Sequence, residues 1–129
     1  MKRVRVLIAV CMILVLGSSM VYAGTSYGRF STTVGDMNGN GYTAYQTKAL
    51  TGAEGSLDCD YVGGDYTVDA RMQSEPGIIG AWTRNVTDNT TYALGSHSLQ
   101  SKGERIRIQF SNDLTTLVDV QVEGRWKSN

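Results

Sequence analysis

The sequence predicts an all-β domain: an antiparallel β-sandwich of about eight short strands, with a small barrel as the alternative closure. Three observations carry that expectation. Apolar and polar residues alternate in several stretches, spacing of the kind that builds amphipathic helices is absent, and turn residues interrupt the chain at short intervals. Alternation gives a strand one apolar and one wet face, as an antiparallel sheet packed on one side requires.

The first two strands are expected over 27–34 and 41–49, separated by the run Asp36-Met37-Asn38-Gly39-Asn40-Gly41. A third, 53–61, ends before Gly63-Gly64-Asp65. The fourth, 65–73, has the clearest pattern: Tyr66, Val68, Ala70 and Met72 alternate with Thr67, Asp69, Arg71 and Gln73. Glu75-Pro76-Gly77 reads as a type II turn, because Pro presets one φ and Gly supplies a positive one. Strands over 78–84 and 90–99 flank the polar cluster NVTDNT, residues 85–90. In the seventh, 104–110, Ile106, Ile108 and Phe110 alternate with Arg105, Arg107 and Gln109. The eighth, 115–123, places Val118, Val120 and Val122 on one face. The expected core is Phe30, Leu57, Val68, Trp82, Ile106, Ile108, Phe110, Val118 and Val120.

The first residues read as a leader rather than as fold. Lys2, Arg3 and Arg5 precede an apolar run over 6–16, and Val21-Tyr22-Ala23 fits the small-residue cleavage rule. Residues 1–23 are therefore expected to be a secretory signal peptide, and 24–129 a single exported, extracellular domain. The apolar run is about 11 residues, short of the roughly 20 that span a bilayer, so the mature chain is not expected to be membrane-embedded.

Three of the twelve cations lie in the leader and all twelve acids follow it, which leaves a net charge of about −3. A nucleic-acid partner would call for a basic patch, and none stands out; Arg105 and Arg107 read as one stripe on one strand. Cys59 is the single cysteine after the leader, so no intramolecular disulfide can form there.

Asp36, Asn38 and Asn40 stand at alternate positions before Gly41, the first half of a calcium loop. They are the candidate metal ligands. Ca²⁺ takes six to eight oxygens, and the position where an EF-hand places its bidentate Glu is Thr47. The Asn-Gly pairs also suit a tight turn, which is the expected role of this run. Enzyme chemistry is hard to assemble, so neither a catalytic residue nor a cofactor is expected. His97 is the single imidazole, and no nucleophile-elbow motif accompanies it. Asp58 and Asp60 fall on one side of a strand, but a glycosidase-like pair needs a large cleft. Asn85-Val86-Thr87 and Asn89-Thr90-Thr91 match the glycosylation acceptor.

Aromatic residues give the best binding signal, because Tyr and Trp combine an apolar body with a polar tip. Tyr42, Tyr92 and Trp82 are the candidate binding residues. Tyr42 and Tyr45 are three apart on one expected strand, so one of them is expected to face the core.

Several short motifs carry a resemblance. They are Gly39-Asn40-Gly41-Tyr42-Thr43 with Lys48, Val68-Asp69-Ala70-Arg71, Gly80-Ala81-Trp82, Ile106-Arg107-Ile108, and the closing Val122-Glu123-Gly124-Arg125-Trp126. With the leader, they resemble an uncharacterised family of small exported β-sandwich proteins of Gram-positive bacteria. That resemblance implies a secreted sandwich with no established activity and assigns no catalytic residue. A looser likeness is to small secreted bacteriocins. The expected function is a secreted, non-enzymatic protein that binds an extracellular protein, peptide or glycan. The alternatives are a bacteriocin-like toxin, a calcium-stabilised structural protein and a small hydrolase.

Overall fold

In the computed structural model, residues 24–129 are described; the expected leader over 1–23 lies outside the described residues. The strands among them are β1 (Gly28–Val34), β2 (Asn40–Tyr42), β3 (Gln46–Thr47), β4 (Gly55–Val62), β5 (Val68–Ser74), β6 (Thr83–Val86), β7 (Thr90–Leu94), β8 (Arg105–Ser111) and β9 (Val120–Lys127). They form two antiparallel sheets, the first in the order β1-β9-β4-β7 and the second in the order β2-β8-β5-β6, with β3 also paired to β8. The sheets do not close into a barrel, so the sandwich is the architecture. The described residues include one 3₁₀ turn, Gly63–Asp65, and no helix long and apolar enough to cross a membrane.

The alternation decides which faces meet. Val68, Ala70 and Met72 of β5, with Ile106, Ile108 and Phe110 of β8, form the inner face of the second sheet. Leu57, Cys59 and Val62 of β4 and Val120, Val122 and Trp126 of β9 oppose them from the first sheet. Phe30 closes one side, its ring 5.3 Å from that of Phe110. Between Phe30 and Cys59 lies Gly124, where a side chain has no room: a Cβ there would lie 2.4 Å from the Asp58 carbonyl oxygen. A bulge at Asp60, where the β4–β9 register shifts, adjoins that close approach.

Two expected core residues are misplaced by the sequence reading. Val118 is 47% exposed, because β9 starts at Val120 and runs on to Lys127 instead of spanning 115–123. Trp82 precedes β6 and is only half-buried; Trp126 is the tryptophan of the core. The expected strand 41–49 is broken at 43–45, where Thr43 turns inward and its Oγ1 accepts the Ile108 amide at 2.9 Å. The expected strand 90–99 stops at Leu94, and 78–84 is reduced to a bridge at Ile79 and the start of β6. The turn at Glu75-Pro76-Gly77 is not type II. Its closing bond runs from the Gly77 amide to the Ser74 oxygen, and Gly77 (φ 104°) follows the turn as a left-handed bulge.

The Asp36 run is the connection between β1 and β2, and it carries the chain from one sheet to the other. Met37 (φ 47°) and Asn38 (φ 64°) occupy the left-handed region, and the Gly39 amide closes the turn on the Asp36 oxygen at 2.9 Å. The 112–119 loop holds this turn in place: Met37 N donates to Thr116 O, and Asn38 N to Asp113 O.

Candidate functional site

The outer face of the second sheet gathers four arginines, Arg71, Arg84, Arg105 and Arg107, and three aromatic rings, Tyr42, Tyr45 and Trp82, in one place. Antiparallel pairing sets Arg71 opposite Gln109 and Gln73 opposite Arg107 on β5 and β8. Each pair is closed by a side-chain hydrogen bond. Arg71 Nε donates to Gln109 Oε1 at 2.8 Å, and Arg107 Nε donates to Gln73 Oε1 at 3.1 Å. The pairs lie crosswise, so the two guanidinium groups occupy diagonal corners of a four-residue square.

Each guanidinium also rests on an aromatic ring. Arg71 lies 4.2 Å from the Trp82 ring centroid, and Arg107 lies 3.9 Å from that of Tyr42. At these distances the positive charge is attracted to the ring face by cation–π interaction. Arg84 covers Trp82 at 5.4 Å, and Arg105 covers Tyr45 at 4.7 Å. Asn40 extends the lattice by accepting the Gln109 side-chain amide at 3.1 Å.

The charges on this face do not cancel. Arg84 pairs with Asp69 at 2.6 Å, and Arg105 with Glu75 at 3.3 Å. Asp69 also accepts the Asn85 amide, which anchors β6 to β5. Among the described residues, Arg71 and Arg107 form no ion pair, and their terminal guanidinium nitrogens have no hydrogen-bond partner. Residues 24–129, acidic as a whole, thus present one face with an excess of positive charge. Each of its two unpaired forks is fixed at Nε and open at its outer edge, the geometry that receives an oxyanion through two N–H groups.

Of the three expected binding residues, Tyr42 and Trp82 lie on this face. Tyr92 does not: it pairs with Leu57 across β4 and β7, turns toward the core of the first sheet, and its hydroxyl accepts the Thr87 amide at 2.9 Å. The expectation that Tyr42 or Tyr45 faces the core also fails. The break at Thr43 resets the alternation, and both rings flank Arg107 on the outer side.

Two of the expected metal ligands are held by other partners: Asn38 Oδ1 accepts the Ser111 hydroxyl, and Asn40 Oδ1 accepts the Gln109 side-chain amide. Asp36 is fixed through its backbone, where its amide donates to Asp119 Oδ1. Among the described residues no group of three or more His, Cys, Asp or Glu side chains is placed to hold a metal ion. The hydrolase candidates are also separately engaged. Asp58 pairs with Arg125 at 2.8 Å, Asp60 with Arg29 at 3.8 Å, and His97 Nδ1 accepts the Leu99 amide of its own loop. Asp60 does line a shallow depression with Arg29, Phe30, Ser31, Glu123 and Gly124, but Glu123 there accepts the Ser31 hydroxyl. Asn85 and Asn89 are exposed, with φ of 57° and 50° at the two ends of the 85–89 segment.

The sequence reading missed Arg71, Gln73, Gln109 and Arg84 as members of one site. The signal was present: Arg71-Met72-Gln73 and Arg107-Ile108-Gln109 repeat the same polar pair on two strands. Antiparallel pairing in this register brings each Arg to the other's Gln. No protein-family model matches the chain, and no curated protein sequence matches it.

Proposed function

We propose that the protein is an exported, non-enzymatic binding module that engages an extracellular partner through the outer face of the second sheet. The observation that carries this reading is the pair Arg71 and Arg107, each stacked on a ring, tied at Nε and left without a carboxylate. Interfaces favour Arg, Tyr and Trp, and a fixed side chain loses less entropy on binding than a free one. Export rests on the leader over 1–23 and on the resemblance to small exported proteins. A contact role, not a catalytic one, fits carboxylates that are already engaged by arginines and a histidine tied to its own loop.

The test is a binding screen at low salt with wild type and the charge reversal Arg71→Glu/Arg107→Glu. Immobilised acidic and neutral polysaccharides, acidic and basic peptides and extracellular proteins serve as probes. At least one probe should retain the wild type and release the variant, with both proteins folded by circular dichroism. If no probe separates the two proteins, this face is not the contact surface.

A further inference from the structure

We infer that the partner recognised by this face is an acidic polysaccharide, a sugar chain bearing carboxylate, sulfate or phosphate groups. The inference rests on the binding reading above and names its ligand class.

The charge argument comes first. Four arginines share this face, and the acids Asp69 and Glu75 neutralise only Arg84 and Arg105. The remaining forks, Arg71 and Arg107, stand at diagonal positions of adjacent strands, about 7–8 Å apart at the backbone. A ligand that engages both must carry more than one oxyanion. Repeated acidic groups along a polymer meet that demand.

The shape argument selects among polyanions. An extended acidic peptide binds a sheet by pairing with an open edge, but β5 and β8 are interior strands with both neighbours in place. Peptide side chains also need anchoring pockets. The depression at the end of this face, lined by Glu75, Pro76, Gly103, Glu104 and Arg105, includes neither Arg71 nor Arg107, so it offers no pocket beside the two free forks. The face itself is a flat lattice of Arg, Gln, Asn and Tyr edges. Those amides and hydroxyls match the hydroxyl-rich edge of a sugar. Single-stranded nucleic acid would stack its bases on bare rings, whereas Trp82, Tyr42 and Tyr45 are already covered by guanidinium groups.

The experiment compares wild type with Arg71→Lys/Arg107→Lys, which keeps both charges and removes both forks. A second variant, Arg29→Lys/Arg125→Lys, changes the opposite sheet equally. Binding to heparin, polygalacturonate, dextran, poly-L-glutamate and oligo-dT is measured by calorimetry at low salt. Heparin or polygalacturonate should bind wild type and the opposite-sheet variant alike, and bind the fork variant about 10-fold or more weakly. Dextran should not bind. If poly-L-glutamate or oligo-dT binds as tightly as the polysaccharides, with the same dependence on Arg71 and Arg107, the ligand class is wrong while the face stands. If acidic polysaccharides bind all three proteins equally, the attraction is mere charge and the inference fails. If nothing binds in a fork-dependent way, the inference and the reading beneath it fall together.

Discussion

Arg71 donates from Nε to Gln109 Oε1 at 2.8 Å, while the amide nitrogen of the same Gln109 donates to Asn40 Oδ1 at 3.1 Å. One glutamine thus ties three strands, β2, β8 and β5, and holds a guanidinium over the Trp82 ring. Gln109→Met keeps the volume and removes both bonds. Urea denaturation should show a loss of about 2 kcal/mol, since each such bond is worth about 1 kcal/mol net. Binding should weaken too, since the Arg71 fork is no longer fixed. An unchanged midpoint together with unchanged binding would show that Gln109 does not position the fork.

Val118 and Val122 have the same chemistry and lie four residues apart on one alternating run, yet the first is 47% exposed and the second fully buried. Val122→Ala should cost about 2 kcal/mol, the transfer of two methyl groups plus a residual cavity. Val118→Ala should fall within about 0.5 kcal/mol of wild type. Equal losses in urea melts would mean that β9 begins earlier than Val120.

That contrast also marks how far periodicity reads. The alternation over 68–72 and 106–110 was sufficient for two central strands and their inner face, because burial on one side constrains every second residue. Register and strand ends are tertiary properties. Val118 carries the same pattern as Val122, and only the 112–119 loop, tied to the Asp36 turn, decides that it stays outside. The arginine face of the second sheet followed the same rule. Its Arg-x-Gln repeats were visible, but their crosswise pairing depends on β5 and β8 being neighbours, and no local pattern states that. Tyr42 and Tyr45 share a face only because Thr43 leaves the strand to bond Ile108.

Cys59 sits wholly inside the first sheet's core, and burial, reinforced by the nearby acids Asp88, Asp60 and Asp58, pushes its thiol up to about 11. Two outcomes are expected. Iodoacetamide at about pH 8 should leave the folded protein unlabelled and modify it in urea, since the thiolate is the reactive form. The stability difference between wild type and Cys59→Ala should also depend on pH. Between about pH 9 and about 11 the unfolded thiol has lost its proton and the folded one has kept it, so the folded form of the wild type loses stability as pH rises. The slope should approach about 1.4 kcal/mol per pH unit. Rapid labelling of the folded protein would place Cys59 at the surface.

Lys48 is fully buried, yet among the described residues no Asp or Glu side chain pairs with it; its ammonium donates to the main-chain oxygens of Ala53 at 2.6 Å, Ser128 at 2.8 Å and Asn129 at 3.4 Å. Gln46, two residues earlier on β3, works beside it: Nε2 donates to Trp126 O, and Oε1 accepts Ser128 N. Together they fasten the end of β9, and with it Trp126, to the second sheet. Burial lowers the Lys48 pKa from its usual 10.5. Lys48→Met fits the space but strands these main-chain oxygens, and a loss of about 2 kcal/mol at neutral pH is expected because an unpaired buried acceptor costs more than its bond returns. The pH dependence separates this role from simple packing. Between the folded pKa and 10.5 the unfolded chain still holds the proton that the folded chain has released, so wild type gains stability with rising pH over that window. Lys48→Met lacks the group, while Cys59 titrates identically in both proteins and cancels. The gap between wild type and Lys48→Met should therefore widen as pH approaches 10.5. A gap that stays constant across that range would mean that Lys48 reaches solvent and does not hold β9 from within.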